Sequence, residues 1–256
     1  MPSTTTILIT GANRGIGKGL VAKYLATPNS VVIATVRDPT DATSKSLENI
    51  PRETSSSLIV IGLDVSSSNS IHQAIETLKS THNIHTLDVV IANAGIAGLN
   101  SQLTEASVSE IQEYIDINAF GQFELFKAVL PLLKASKSND KGKFVYISSA
   151  GGSLTNMYNI VPLSAYGASK ALGNFLFKWL ALESESVLIW SQHPGMVATD
   201  MAQVGFDGLK EQGIDLTNHI ISVETSTEGI KNVIDGATIE KTHGKFLDQN
   251  GSELPW

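Results

Sequence analysis

Ile7-Leu8-Ile9-Thr10-Gly11-Ala12-Asn13-Arg14-Gly15-Ile16-Gly17 decides how the rest of the chain is read. Three apolar residues form a short strand, and the segment then breaks into a loop with glycine at 11, 15 and 17. From Gly17 to Ala26 a helical pattern follows, with Leu20, Val21, Tyr24 and Leu25 on one side. Glycine lacks the Cβ that would hold a phosphate off the backbone. A helix N-terminus behind it offers free N–H groups and partial positive charge to a pyrophosphate. The spacing is G-x-x-x-G-x-G, and a tight strand-to-helix turn without ligand is the plainer alternative. Placement between the first strand and the first helix favours the ligand.

The same alternation runs outward from this loop. Strands are predicted at 31–34, 58–61, 87–92, 144–147, 187–190 and 245–247, and helices at 71–78, 108–117, 120–133, 165–182 and 223–234. The strands are continuously apolar, as a sheet covered on both faces requires. Strand–helix alternation predicts an α/β fold, a single-domain doubly wound Rossmann sheet of about seven parallel strands spanning 1–256. Such sheets bind ligands beyond the C-terminal ends of their strands. Residues 38–57 are polar and read as a loop with one helical turn at most. The weakly patterned stretch 196–222 follows the sixth strand and reads as a substrate lid or as a surface connection.

The 256 residues are 42% apolar and 17% charged, a globular composition. Lys and Arg number 18 against 25 Asp and Glu, a net charge of −7 that argues against nucleic-acid binding. With no Cys, disulfides, thiolate metal sites and Cys nucleophiles are excluded. No apolar run is long enough for a transmembrane helix, and Met1 to Thr6 lacks a signal-peptide pattern, so a cytoplasmic location without membrane association is expected. Asn250-Gly251-Ser252 matches a glycosylation sequon but reads as a turn. Six His occur without a metal-binding pair, so no metal is expected.

The residues after each strand suggest which nucleotide binds. A ribose 2′-hydroxyl is usually held by an acid at the end of strand two, whereas a 2′-phosphate needs a cation. Strand two ends Ala34-Thr35-Val36-Arg37, so Val36 stands where the acid would be, and Arg14 and Arg37 favour NADP over NAD. Asp38 complicates this, because a one-residue shift of the strand end restores an acid. Asp64, with its neighbour Val65, is placed near the adenine. Asn93-Ala94-Gly95 follows strand four, where Gly95 admits close backbone approach and Asn93 ties loops together.

Strand five ends in Ile147-Ser148-Ser149, and Tyr166-Gly167-Ala168-Ser169-Lys170 follows. Tyr and Lys at i and i+4 share one helix face. An ammonium beside a phenol favours the phenolate, which predicts a Tyr166 pKa below its usual ~10 and a usable general acid or base. A Ser hydroxyl at the strand end would orient a carbonyl oxygen. Together these residues suit ketone reduction, with hydride from a nicotinamide and a proton from Tyr166.

These motifs, in this order across the whole chain, resemble the short-chain dehydrogenase/reductase family. The resemblance implies a catalytic tetrad of Asn118, Ser149, Tyr166 and Lys170. Asn118 would hold a water in a proton relay, and Lys170 would also bind the nicotinamide ribose. It further implies cofactor contacts from Pro194, Gly195, Val197 and Thr199. The family's serine usually precedes the tyrosine by about a dozen residues, which fits Ser153. The strand-end position favours Ser149 and makes 154–161 partly an insertion. Segments 87–94, 155–157 and 162–170 resemble norsolorinic acid ketoreductases of fungal polyketide pathways, and the whole resembles small carbonyl reductases. A bulky aromatic ketone is the implied substrate.

Leu172, Phe175, Leu176, Trp179 and Leu180 form a helical stripe that reads mostly as core, with Phe177 and Lys178 off that face. In the family this helix often builds a homodimer or homotetramer interface. Met196, Met201, Phe206 and Leu209 are candidates for the substrate pocket or for sheet cover. His193 reads as a packed strand-end residue. The alternatives to a reductase are an alcohol dehydrogenase or a general dicarbonyl reductase on the same site, and a silent nucleotide sensor on the same fold.

Overall fold

A computed structural model describes residues 4–98, 102–136, 141–157, 162–211 and 213–256. β1 (Thr5–Thr10) enters the glycine loop and α1 (Gly15–Leu25) leaves it. Then follow β2 (Ser30–Val36), a one-turn α2 (Ala42–Lys45), β3 (Ser57–Gly62), α3 (Ser68–Ser80) and β4 (Val89–Ala92). The second half has α4 (Val108–Ile115), α5 (Gly121–Lys134), β5 (Gly142–Ile147), α6 (Ser164–Glu183) and β6 (Val187–Gln192). β7 (Met196–Val197), α7 (Asp200–Glu211), β8 (Ile220–Ile221), α8 (Val223–Asp235) and β9 (Phe246–Leu247) complete it.

The main sheet has the order β3-β2-β1-β4-β5-β6-β9, with every pair parallel. The direction of winding reverses between β1 and β4, which opens a crevice beyond their C-terminal ends. Side chains of each strand alternate between two apolar layers. Leu8 joins Val90, Phe144 and Phe177 on one face, and Ile7 and Ile9 join Val21, Val145 and Trp190 on the other. The expected doubly wound sheet of seven parallel strands is what the chain forms.

Several local expectations differ from the structure. The fourth strand starts at Val89 because the Leu87 amide turns to Leu132 O in α5. The polar stretch after β2 holds α2 and a 3₁₀ turn at Ser46–Asn49 rather than one helical turn, and Leu47 is fully buried there. α4 and α5 join through a single π-turn at Asp116–Phe120. The stripe on α6 is only partly covered: Phe175 is 61% and Trp179 53% exposed, Leu172, Leu176 and Leu180 are half-buried, and Phe177 is fully buried. The buried face is Ala165, Ser169, Lys170, Gly173, Asn174, Phe177 and Ala181, so small and polar residues with one large apolar side chain, Phe177, face the sheet. Within the expected insertion, 158–161 lie outside the described residues; Thr155 is held by Trp256 O through its amide at 2.9 Å and its hydroxyl at 2.7 Å. Asn250 and Gly251 form a turn on Asp248, with Gly251 at φ +84°.

Candidate active site

The glycine loop sits at the crevice. Gly11 and Gly15 adopt φ +62° and +51°, the left-handed region that favours glycine. A Cβ on Gly11 would lie 3.0 Å from Ala94 Cα, and one on Gly17 would lie 2.2 Å from Gly11 O. The loops after β1 and β4 therefore touch backbone to backbone. Asn93 locks that contact: its amide donates to Thr10 Oγ1 at 3.0 Å, and its Nδ2 donates to Thr10 O at 2.9 Å. Ala94 N donates to the same hydroxyl.

α1 begins without a side-chain cap at Arg14, whereas Asp41, Ser67, Ser107 and Ser222 cap α2, α3, α4 and α8. Its first amides are thus left for an anion, and the missing Cβ atoms leave a cradle above them. β2 ends at Val36, which is buried, and Arg37 follows it exposed. Neither Arg14 nor Arg37 has an ion-pair partner among the described residues. Asp38 Oδ1 accepts from Thr40 N at 2.8 Å and Thr40 Oγ1 at 2.6 Å, so this carboxylate is already engaged in its own turn and held below its usual pKa. Asn13 Nδ2 donates to Thr43 Oγ1 at 2.7 Å, which brings α2 over the loop. Asp64 Oδ1 accepts from the Ser66 amide and hydroxyl. Val65 is buried, with its carbonyl against Gly121. These residues fit the pyrophosphate and adenosine ends of a dinucleotide.

On the other side of the crevice, the Ser149 hydroxyl stands near the Tyr166 phenol, where it favours the ionised form, and it accepts from Gly151 N at 3.1 Å. Ser153 is buried and spent elsewhere: its hydroxyl donates to Pro255 O at 2.8 Å and accepts from Asn156 N. With Ser153 so engaged, Ser149 at the end of β5 is the serine whose hydroxyl acts on Tyr166. Lys170 Nζ is buried and donates to Ile147 O at 2.8 Å, 5.7 Å from the centre of the Tyr166 ring.

The expected lowering of the Tyr166 pKa is not what the structure gives. Burial raises it, the Ser149 hydroxyl partly offsets this, and Tyr114 raises it further. The reason lies with Lys170: its ammonium is aimed at a carbonyl rather than at the phenol, and burial lowers its own pKa to about 7. Tyr166 therefore holds its proton at neutral pH.

Asn118 is fully buried in the π-turn, a device that often marks functional sites. Its Oδ1 accepts from Ile96 N, and its Nδ2 donates to Ile96 O and to Ser169 Oγ at 3.0 Å. Ser169 Oγ passes on to Tyr166 O at 2.7 Å. A Cβ on Gly95 would lie 2.8 Å from Asn118 Oδ1 and 3.8 Å from Lys170 Nζ. Gly95, Asn118, Tyr166 and Lys170 thus form one packed group.

Pro194 O accepts from Ser226, and Gly195 takes φ +85°. Val197 is buried in β7, and Thr199 Cγ2 would be 3.3 Å from a Cβ on Gly15, so this loop faces the glycine loop. His193 accepts from Ala150 N through Nδ1; burial lowers its pKa to about 4, so its ring is neutral. Among the described residues no group of three or more His, Asp or Glu could hold a metal ion, and no helix is long and apolar enough to cross a membrane.

Tyr114, Tyr146 and Ser169 were not singled out from sequence. Tyr114 stands edge-on to Tyr166 with ring centres 6.5 Å apart. For Tyr146 a signal existed: a phenol on a wholly buried strand needs a hydrogen-bond partner.

The short chain dehydrogenase family model matches residues 5–209. The chain is 60% identical over 257 residues to the short chain dehydrogenase gsfK of Penicillium aethiopicum, covering 100% of both chains. It is 40% identical to the norsolorinic acid ketoreductase nor1 of Dothistroma septosporum, covering 98% of this chain and 92% of that one. A structure of NADPH-bound carbonyl reductase from chicken fatty liver superposes with a TM-score of 0.86 at 28% identity, covering 99% of this chain and 100% of that one.

Proposed function

Because the chain belongs to the short chain dehydrogenase family, and is an oxidoreductase of the carbonyl-reductase kind that uses a nicotinamide cofactor, we propose that it is an NADPH-dependent ketoreductase. The observation that carries this reading is the group of Tyr166, Lys170 and Ser149 at the end of β5, with Lys170 5.7 Å from the Tyr166 ring centre and packed towards Gly95 on the loop that touches the glycine cradle. NADPH, when bound, supplies the hydride. Gly11 to Gly17 hold its pyrophosphate, Arg14 and Arg37 its 2′-phosphate, Asp64 and Val65 border its adenine, and Asn93 to Gly95 keep the crevice open. Lys170, Pro194, Gly195, Val197 and Thr199 hold the nicotinamide half.

Ser149 donates to the substrate carbonyl oxygen and orients it. Tyr166, protonated at neutral pH, gives its proton to that oxygen as the carbon gains hydride, and the product is the secondary alcohol. Lys170, with a pKa of about 7, is matched to returning that proton, and Asn118 secures the water side of the relay. A bulky aromatic ketone fits best. Tyr114 adds an aromatic wall at Tyr166, the loop opened by Ser149 bears exposed Leu154 and Met157, and the Dothistroma relative is a norsolorinic acid ketoreductase. Residues 196–222 close the substrate side, within a single 1–256 domain. The outward Phe175, Trp179 and Leu182 on α6 support a homodimer.

The test is NADPH oxidation against aromatic polyketide ketones, α-diketones, simple aldehydes and a steroid ketone, with Tyr166→Phe alongside. Turnover on an aromatic ketone that falls at least ~100-fold in the variant is expected, with NADPH binding retained. Equal turnover in the variant would overturn the mechanism; turnover of small dicarbonyls alone would overturn the substrate class.

A further inference from the structure

Tyr146 takes no part in the steps above, yet it touches two groups that do. It is fully buried on β5 and stacks on Phe177 with ring centres 4.5 Å apart. Its Oη donates to Asn118 O at 2.9 Å. That carbonyl belongs to the π-turn, where the Gly121 amide reaches back five residues to Asp116 O. The next carbonyl, Ile117 O, is taken by Gln122 Nε2 at 3.1 Å. On its other side the Tyr146 ring lies 5.0 Å from Lys170 Nζ. α6 makes room for the phenol: a Cβ on Gly173 would lie 2.2 Å from Tyr146 Oη. Stacking alone would be served by phenylalanine, and a buried hydroxyl costs stability unless it is bonded. The hydroxyl and the glycine opposite it therefore need a reason beyond packing.

We propose that Tyr146 is a positioning residue for proton transfer at Tyr166: its hydroxyl fixes the Asn118 carbonyl, and its ring holds the Lys170 ammonium at a set distance. Burial keeps the Tyr146 phenol protonated across the working pH range, so it is a permanent donor. The titratable groups that face Lys170 are Tyr146 from β5 and Tyr166 from its own helix, and no carboxylate contributes to its shift. The inference rests on the proposed ketone reduction.

Tyr146→Phe keeps the ring and removes the donor. The expected result is a kcat lower by about ten-fold, with ketone KM and NADPH affinity by fluorescence titration within about two-fold, and a larger solvent deuterium isotope effect on kcat. Gly173→Ala pushes the phenol off Asn118 while leaving Tyr146, Tyr166 and Lys170 unsubstituted, and it should show the same split. Unchanged kcat and isotope effect in Tyr146→Phe would overturn the proposal. So would loss of NADPH affinity in step with turnover, which would make the phenol a mere prop for the fold. Should Tyr146→Phe fail to fold, wild-type kcat in Gly173→Ala overturns it. Tyr166→Phe serves as the control. If it is inactive while Tyr146→Phe matches wild type, only the role of Tyr146 falls; if it turns over normally, the proposed reduction falls and this inference with it.

Discussion

Replacing Lys170 by methionine should cost the protein its turnover and make it more stable. Methionine keeps the apolar stem and removes the buried charge. In the unfolded chain the lysine titrates at its ordinary 10.5, and in the native state at about 7. That fall corresponds to about 5 kcal/mol of disfavoured charging. Methionine also gives up the hydrogen bond to Ile147 O, about 1 kcal/mol, and the contacts with the Tyr146 and Tyr166 rings, about 1–2 kcal/mol. The net gain is about 2 kcal/mol below neutral pH, or a Tm higher by about 4–8 °C for a domain this size. The pH dependence identifies the cause. Below pH 7 the lysine is charged in both states and its burial costs the native state in full. Between about 7 and 10.5 the native state has released the proton while the unfolded chain keeps it. Wild-type stability therefore rises with pH by about 1.4 kcal/mol per unit relative to the variant. Urea unfolding of both proteins near pH 6 and near pH 9 reads this directly: the advantage of Lys170→Met should be clear at the lower pH and gone at the higher. A variant no more stable than wild type near pH 6, or a difference that is the same at both pH values, would refute the argument.

Arg37→Ala should weaken NADPH about 10- to 100-fold, the loss of one charge-assisted phosphate contact, and leave NADH within about two-fold; fluorescence titration with both cofactors checks it, and equal losses would return Asp38 to the ribose. Ser149→Ala should lower kcat/KM about 100-fold, while Ser153→Ala should keep turnover and lose about 1 kcal/mol of stability from its bond to Pro255 O; the reverse pattern in steady-state kinetics and urea melts would make Ser153 the catalytic serine.

The sheet and the crevice were legible because they rest on local rules. Continuous apolar runs such as Ile7–Ile9 and Val89–Ala92 demand cover on both faces, and the Gly11–Gly17 loop can only sit where strand and helix meet closely. Tyr166 and Lys170 were legible as a pair because four residues make one helical turn. What remained hidden was where the Lys170 proton points. Ile147 O, at the end of a distant strand, captures the ammonium, and no spacing in sequence announces that bond. The π-turn was hidden for a similar reason. One extra residue between α4 and α5 keeps the apolar pattern nearly helical on either side, and only the close approach of Val65 O to Gly121 shows why glycine stands there.

The stripe on α6 shows how a site can override hydrophobic patterning. Leu172, Phe175, Leu176 and Trp179 have the spacing of a buried face, but Tyr166 and Lys170 must point at the crevice, and they fix the rotation of the helix. With that rotation set, Gly173 and Phe177 face the sheet, where Gly173 admits Tyr146 and Phe177 fills the space among Phe126, Phe144 and Tyr146. Of the stripe, Phe175 and Trp179 are left to solvent, stacked on one another, while Leu172, Leu176 and Leu180 are half-buried. An orientation chosen by apolar area alone would bury Phe175 and Trp179 and carry the Tyr166 phenol away from Ser149. The sheet-facing side of α6 thus keeps Ser169, Lys170 and Asn174 buried, each with a hydrogen bond to another element or turn, and those bonds offset only part of the desolvation that the site imposes: Lys170 keeps a net cost and Asn174 Nδ2 is left without a partner among the described residues.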